Sequence, residues 1–322
     1  MPDRVLVTGA TGFVGSHVTQ AFVEAGHEVR CSLRTTGDPR WISDLPVKLV
    51  PLDLTRPEDL PRAVEDVDVV VHAAGLVKAR RTSDYRLVNT EGTRKLATAA
   101  KEAGVRRFVL ISSLAARGPD NAPPGDERDR PASAYGRSKL EAEEILRPFG
   151  KQMEVVTLRP AGIYGPRDTE ILPLFKMARG GWLILPSGPR ALQPVYATDV
   201  ARAALVAAGK TAVGYGPHPV AEASRYTWRD AAKGLEDALG CTLRVAYLPV
   251  AAFKLAGRAV EKMSRLFDAK PAFDERQAWD LAVHTWTCDP SSTEQALGWR
   301  AEVSLYRGLE LTARWYRRVG WI

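Results

Sequence analysis

The residues best placed to do chemistry lie in "SAYGRSKLEAEE", Ser133 to Glu144, where Tyr135 and Lys139 stand four apart at the start of a helical pattern. Positions i and i+4 share a helical face, so the Lys139 ammonium can lie beside the Tyr135 phenol. A nearby positive charge favours phenolate, which lowers the tyrosine pKa from about 10 and suits a general acid/base. The plain alternative is an amphipathic helix with a half-buried tyrosine and a solvated lysine. A second chemistry-bearing group sits near the start of the chain. Gly9, Gly12 and Gly15 in "TGATGFVG" follow an apolar run directly and open a helical pattern. Glycines there allow a tight turn and close approach of backbone N–H groups, and a helix N-terminus attracts a pyrophosphate. About 20 residues further on, where an NAD-selective protein carries an acid for the ribose 2′-hydroxyl, this chain has Leu33 and then Arg34. A guanidinium suits a 2′-phosphate, so Arg34 points to NADP(H) as the preferred dinucleotide, with NAD(H) the weaker option. Asp38 could still curl back to the ribose.

These residues need a scaffold. "RVLVTGATGFVGSHVTQAFVEAG" reads as a buried strand, a glycine turn and an amphipathic helix. Short β-branched runs recur in "HEVRCSL", "VKLVPLD", "VDVVVHAA", "RRFVLISS" and "MEVVTLRP", separated by helical patterns. The alternation predicts an α/β fold: a Rossmann-type doubly wound parallel sheet with helices on both faces. Residues 1–160 form the dinucleotide-binding domain on this reading. Residues 161–322, with helical patterns at 197–208, 227–239, 249–266, 272–283 and 303–318, form a smaller mixed substrate-binding region, with some segments returning to the Rossmann core. "RGPDNAPPGDERDRP", 117–131, is rich in Pro, Gly and charge and is expected to be a mobile loop, placed where a lid would lie.

Composition narrows the function classes. The 322 residues are 45% hydrophobic and 26% charged, so a substantial core is affordable without membrane-like bias. No run of 18 or more apolar residues and no signal-peptide pattern is present, which leads to a cytoplasmic expectation. Cys31, Cys241 and Cys288 are far apart and match no metal or disulfide pattern. The net charge of +7 is spread along the chain and interleaved with acids, so it argues for a phosphate-bearing ligand rather than nucleic acid.

Taken together, T-G-x-x-G-x-x-G and the downstream Y-x-x-x-K resemble the extended short-chain dehydrogenase/reductases, the NAD(P)-dependent epimerase/dehydratase family. Asp53 in "PLDL", "HAAG" from His72, Asn89 in "VNTEGT", "ISS" ending at Ser113, "LRPAGIYGPRD" from Leu158 and the late "TWTCDPSSTEQALGW" match family positions in order. The resemblance implies that Tyr135 exchanges a proton with a carbonyl/hydroxyl pair, Lys139 tunes it and holds the nicotinamide ribose, and Ser113 holds the substrate oxygen, with Ser112 the fallback. It implies dinucleotide contacts from Gly9, Thr11, Gly12, Phe13, Val14, Gly15, Arg34, Asp53, Leu54, Ala73, Ala74, Asn89, Tyr135, Lys139 and Pro160, a small-molecule substrate, a homodimer and no metal. His72 is expected to pack in the strand-end turn. Nucleotide-sugar members carry a diphosphate-holding arginine where this chain has Leu192, although Arg190 is near. "LPVAAFKLAGRAVEKMSRLF", with Phe253, Ala256, Val260 and Met263 on one face, resembles the dihydroflavonol reductase and 3β-hydroxysteroid dehydrogenase branch, whose substrates are bulky and apolar. That branch leads. A nucleotide-sugar epimerase or dehydratase with retained NAD, and a non-catalytic dinucleotide-binding sensor or assembly protein, are the alternatives.

Overall fold

The computed structural model describes residues 2–79, 81–120, 128–188, 191–210, 213–252, 255 and 285–322. Its centre is a parallel sheet of seven strands. They are β1 (Arg4–Thr8), β2 (Glu28–Leu33), β3 (Lys48–Pro51), β4 (Val69–His72), β5 (Arg107–Ile111), β6 (Glu154–Pro160) and, after an excursion, β10 (His218–Val220). In space they run β3-β2-β1-β4-β5-β6-β10. In β1, Val5 and Val7 pack into the cluster under helices α1 (Phe13–Glu24) and α7 (Ala197–Gly209), while Leu6 packs into the opposite cluster with Leu96 and Phe108. Apolar side chains on both faces make both layers of helix obligatory. The second layer holds α2 (Leu60–Val64), α4 (Gly92–Glu102) and α5 (Ala134–Leu146); a short α3 (Thr82–Tyr85) lies before α4.

Strand order reverses between β1 and β4, and at such a switch point the connections part and leave a crevice beyond the strand ends. Far from that crevice, the buried Arg107 at the start of β5 donates to the carbonyls of Ala207 (3.0 Å) and Ala208 (2.7 Å) and pairs with Glu154. It thereby caps the C-terminal end of α7, where orphan carbonyls need donors.

The remaining elements form a cap. Strands β7 (Ile163–Tyr164) and β9 (Val195–Tyr196) pair in parallel, as do β8 (Trp182–Pro186) and β11 (Arg244–Leu248). Around them lie α6 (Leu172–Arg179), α8 (Trp228–Leu239), α9 (Ser291–Leu297) and α10 (Leu305–Arg318). Helix α8 starts in a capping box of Thr227 and Asp230 and stops at Gly240 in the left-handed region, φ 67°. Helix α10 passes so close to β7 that a side chain at Gly308 would meet the Tyr164 hydroxyl at 2.0 Å. Trp41, in the β2–β3 connection, stacks its edge region on Trp315 (5.5 Å) and Trp321 (6.1 Å), tying the cap to the edge of the sheet. The amphipathic stripe expected at Phe253, Ala256, Val260 and Met263, the helix expected at 272–283, Arg190 and the centre of the 117–131 segment lie outside the described residues. Among the described residues no helix is long and apolar enough to cross a membrane.

Candidate active site

The crevice beyond β1 and β4 is a groove of about 450 Å³. Gly9 forms its floor with φ 71°, and a Cβ there would lie 2.7 Å from Ala74 Cα, so only glycine lets the β1 and β4 ends close together. The next turn is closed by Gly12 N–H donating to Gly9 O at 2.9 Å. Gly12 is the N-cap of α1 and has no side chain to occupy the helix's first N–H groups, which leaves them for an anion. A dinucleotide pyrophosphate fits this cradle. Gly15 does not line the groove; its Cβ would meet Gly9 O at 2.1 Å, so its part is to let α1 sit on the turn. Phe13 and Val14 do not line the groove either, so their part in the cradle is through their main-chain N–H groups, and Pro160 is off it, whereas Thr11, Arg34, Asp53, Leu54, Ala73 and Ala74 are on it.

At the far end of the groove, Arg34 is exposed beside Asp53. Asp53 Oδ1 accepts from Thr55 N (2.9 Å) and Thr55 Oγ1 (2.7 Å), which holds its pKa below the usual carboxylate value; Arg34 adds to the same effect. Asp38 does not line the groove, and its carboxylate is engaged by Arg40 through a backbone bond of 3.0 Å and the guanidinium. Ser32 was not foreseen. Its hydroxyl accepts from Gly9 N at 3.1 Å and faces the groove, a position that its place at the end of β2 could have indicated. Asp84, Leu87 and Val88 also line the groove, from α3 and a π-helical turn at Arg86–Glu91 that no sequence signal announces.

Asn89, in that turn, spends its side chain on protein groups: Oδ1 accepts from Leu76 N (2.7 Å), and Nδ2 donates to Leu76 O (3.0 Å) and Ser138 Oγ (2.9 Å). It shapes the groove wall rather than lining it. His72 is fully buried between Thr8 Oγ1 (2.6 Å) and Thr93 Oγ1 (2.8 Å). Thr93 donates to Asn89 O, so its oxygen accepts from His72 Nε2–H and His72 Nδ1 accepts from Thr8. Burial brings the imidazole pKa down to about 3, so His72 stays neutral and structural.

Helix α5 begins where Ser133 Oγ accepts from Gly136 N at 2.9 Å. Gly136 has no room for a Cβ, which would lie 2.2 Å from Ala115 O, so the first turn of α5 presses on the turn at Leu114–Ala116. This contact brings Tyr135 beside Ser113, whose hydroxyl oxygen accepts from Ala115 N at 3.1 Å. Ser112 points elsewhere, donating its hydroxyl to Glu143. Of the two serines, Ser113 is the one at the tyrosine. Lys139 Nζ, buried one turn along, donates to Ile111 O at 2.7 Å and lies near the Gly75 end of the groove.

The expected lowering of the Tyr135 pKa is not what this arrangement gives. Desolvation raises it, with the Ser113 hydroxyl pulling the other way, and Lys139 is turned to the Ile111 carbonyl. Burial also brings Lys139 down to about 8 against the pull of Glu143. In the cap, Leu192 exchanges main-chain hydrogen bonds with Tyr226 (2.6 and 2.7 Å) and packs against the cap core. No cluster of potential metal ligands occurs among the described residues.

Comparisons with known proteins agree with this architecture. A ceramide reductase of Caulobacter vibrioides is 35% identical over 99% of this chain and 96% of its own length. A 3-beta-hydroxysteroid dehydrogenase of Mycolicibacterium neoaurum is 37% identical over 51% of this chain and 49% of its own. Among solved structures, the Bordetella bronchiseptica enzyme WbmG in complex with NAD and UDP superimposes with a TM-score of 0.79 at 22% identity, over 99% of this chain and 96% of that one, a likeness of fold. Residues 5–220 match the NAD dependent epimerase/dehydratase family, and with the sheet, the glycine cradle and the full-length relative the chain belongs to that family of NAD(P)-binding Rossmann enzymes.

Proposed function

We propose that the chain is an NADP(H)-dependent oxidoreductase that interconverts a carbonyl and a hydroxyl on a bulky, apolar small molecule, with Ser113, Tyr135 and Lys139 as its catalytic residues. The observation that carries this reading is the convergence of Ser113, Tyr135 and Lys139 beside the Gly75 end of the groove. When bound, the nicotinamide supplies or accepts the hydride. Ser113 and Tyr135 both present hydroxyls to one point, so a carbonyl oxygen placed there accepts two hydrogen bonds, and the negative charge developing on it is stabilised. Tyr135 then delivers its proton to that oxygen, and in the other direction accepts it. A phenol kept protonated by desolvation is the right form for reduction. The charged Lys139, one helical turn from Tyr135, stabilises the tyrosinate left behind.

Arg34 beside the groove supports the phosphorylated dinucleotide, because it follows Leu33 where an NAD-selective protein carries its acid, and Asp38 is engaged by Arg40. On this reading residues 1–160 carry the dinucleotide and most of 161–322 the substrate, in a cytoplasmic homodimer. The ceramide reductase relative and the apolar environment of Leu192 support a lipid-like substrate over a nucleotide sugar, whose diphosphate would lack an arginine there. The test is a spectrophotometric assay of NADPH and NADH oxidation with long-chain and polycyclic ketones, beside calorimetry with uridine diphosphate sugars. Turnover of an apolar ketone with NADPH is expected; micromolar binding of a nucleotide sugar with tightly retained NAD would transfer the assignment to an epimerase or dehydratase.

A further inference from the structure

Behind the Ser113–Tyr135 pair lies a set of charges that the proposed chemistry does not use. Glu143, two turns beyond Tyr135 on α5, is buried and receives Arg159 of β6 through Nε (3.0 and 3.1 Å) and Nη2 (2.6 Å). The other edge of the same guanidinium grips Asp129, in the segment before α5, with two bonds of 2.7 Å. Glu143 also accepts the Ser112 hydroxyl, and its backbone carbonyl accepts from Tyr215. Two carboxylates thus meet one guanidinium, and the buried one, Glu143, sits where charge is costly unless balanced. A second cation lies one helical turn back from Glu143: Lys139, which feels the Glu143 charge.

Ser112 is fixed at two points, its N–H on Leu158 O (2.8 Å) and its hydroxyl on Glu143. Successive side chains of an extended segment diverge, and Ser113 is extended at φ −161° and ψ 150°. Pinning Ser112 to Glu143 therefore sets the direction in which Ser113 leaves the strand, toward Tyr135. We infer that Glu143, braced by Arg159 and Asp129, is a positioning residue that orients Ser113 through Ser112 and supplies the counter-charge for the Lys139 ammonium. This rests on the proposed role of the Ser113–Tyr135–Lys139 trio.

The groups that face Lys139 are Tyr135 and Glu143 from its own helix and the neutral His72 from β4, with Arg159 and Asp129 behind Glu143. Lys139 loses its charge as pH rises through its pKa, so removing the Glu143 carboxylate moves that loss to lower pH. The experiment measures pH profiles of kcat/KM for NADPH-dependent reduction in wild type, Glu143→Gln, Asp129→Asn and Ser112→Ala, with Tyr135→Phe as the control for the trio. We expect the alkaline limb of Glu143→Gln to fall by about one pH unit, with a smaller fall in Asp129→Asn, whose carboxylate lies beyond the guanidinium. Ser112→Ala is expected to lose about tenfold in kcat with KM for NADPH and the alkaline limb unchanged. A Glu143→Gln limb that coincides with wild type, or wild-type kcat in Ser112→Ala, overturns the inference. Should Glu143→Gln not fold, the Ser112→Ala result decides alone. If Tyr135→Phe keeps wild-type turnover, the trio itself is wrong; if Tyr135→Phe is inactive and the limb does not move, only the positioning role is.

Discussion

The sheet half and the cap half of the molecule reach their shapes by different means. In the sheet half the dinucleotide cradle is built from properties of the main chain: a glycine at positive φ, an uncapped helix start, strand ends that meet at a reversal of order. In the cap, position is set by side chains from distant segments, as where Trp41 meets Trp315 and Trp321 or where Gly308 makes room for Tyr164. Main-chain devices recur at fixed spacing and tolerate changes around them. Side-chain contacts between remote segments have no spacing, and each can be lost by one substitution.

That contrast can be broken or sharpened by mutation. The largest effect is expected from Tyr135→Phe, which removes the proton but keeps the ring: turnover should fall by about 10²- to 10⁴-fold while the affinity for NADPH, followed by tryptophan quenching, stays within a few-fold. Arg34→Ala comes next. Losing a hydrogen-bonded charge partner of the 2′-phosphate should weaken NADPH about 10- to 100-fold in paired titrations and leave NADH nearly unchanged. An equal loss for both cofactors would show that Arg34 serves the fold and not the phosphate.

Gly308→Ala addresses the cap. The added methyl collides with the Tyr164 hydroxyl, and overpacking of this kind costs about 1–3 kcal/mol. Thermal unfolding should occur at lower temperature, the double variant with Tyr164→Phe should recover part of the loss, and NADPH affinity should change little. Equal damage to cofactor binding would erase the distinction between the halves. The smallest effect concerns acid. His72 and His17 are held neutral by burial, with pKa values near 3 and 4 against about 6.5 in the unfolded chain. The unfolded state therefore binds more protons between pH 6.5 and 4, and stability should decline across that window as pH falls. Urea midpoints at pH 7 and 4.5 measure it; replacing His72 by Asn should flatten the slope even if it lowers the midpoint.

The same contrast explains what could be read in advance. The six strands from β1 to β6 and the Gly9 turn were legible because buried parallel strands are continuous apolar runs and the turn demands glycine. Arg34 stood out through a charge where a carboxylate is usual, and the resemblance put Ser113 first with Ser112 as the fallback. The Glu143 contact of Ser112 supports that order, a side-chain partner 31 positions away that the sequence does not announce. The π-helical turn that brings Leu87 and Val88 to the groove, and the Asp129–Arg159–Glu143 set, depend on residues up to 30 positions apart and carry no periodic signal. The Tyr135 pKa was misjudged for a related reason: spacing reveals a neighbouring charge but not the desolvation that opposes it.

The return of the chain from the cap to the sheet has a consequence for anyone who would exchange caps between relatives. Strand β10 completes one edge of the sheet beside β6, and α7 covers the same face as α1 while its last carbonyls receive Arg107. A chimaera cut at residue 160 would therefore leave β6 as a bare edge open to other strands, strip one face of its cover and leave a buried guanidinium with fewer acceptors. The seam for modular exchange is not a single point in the chain but a set of cuts that keep residues 195–220 with the sheet and swap the segments on either side.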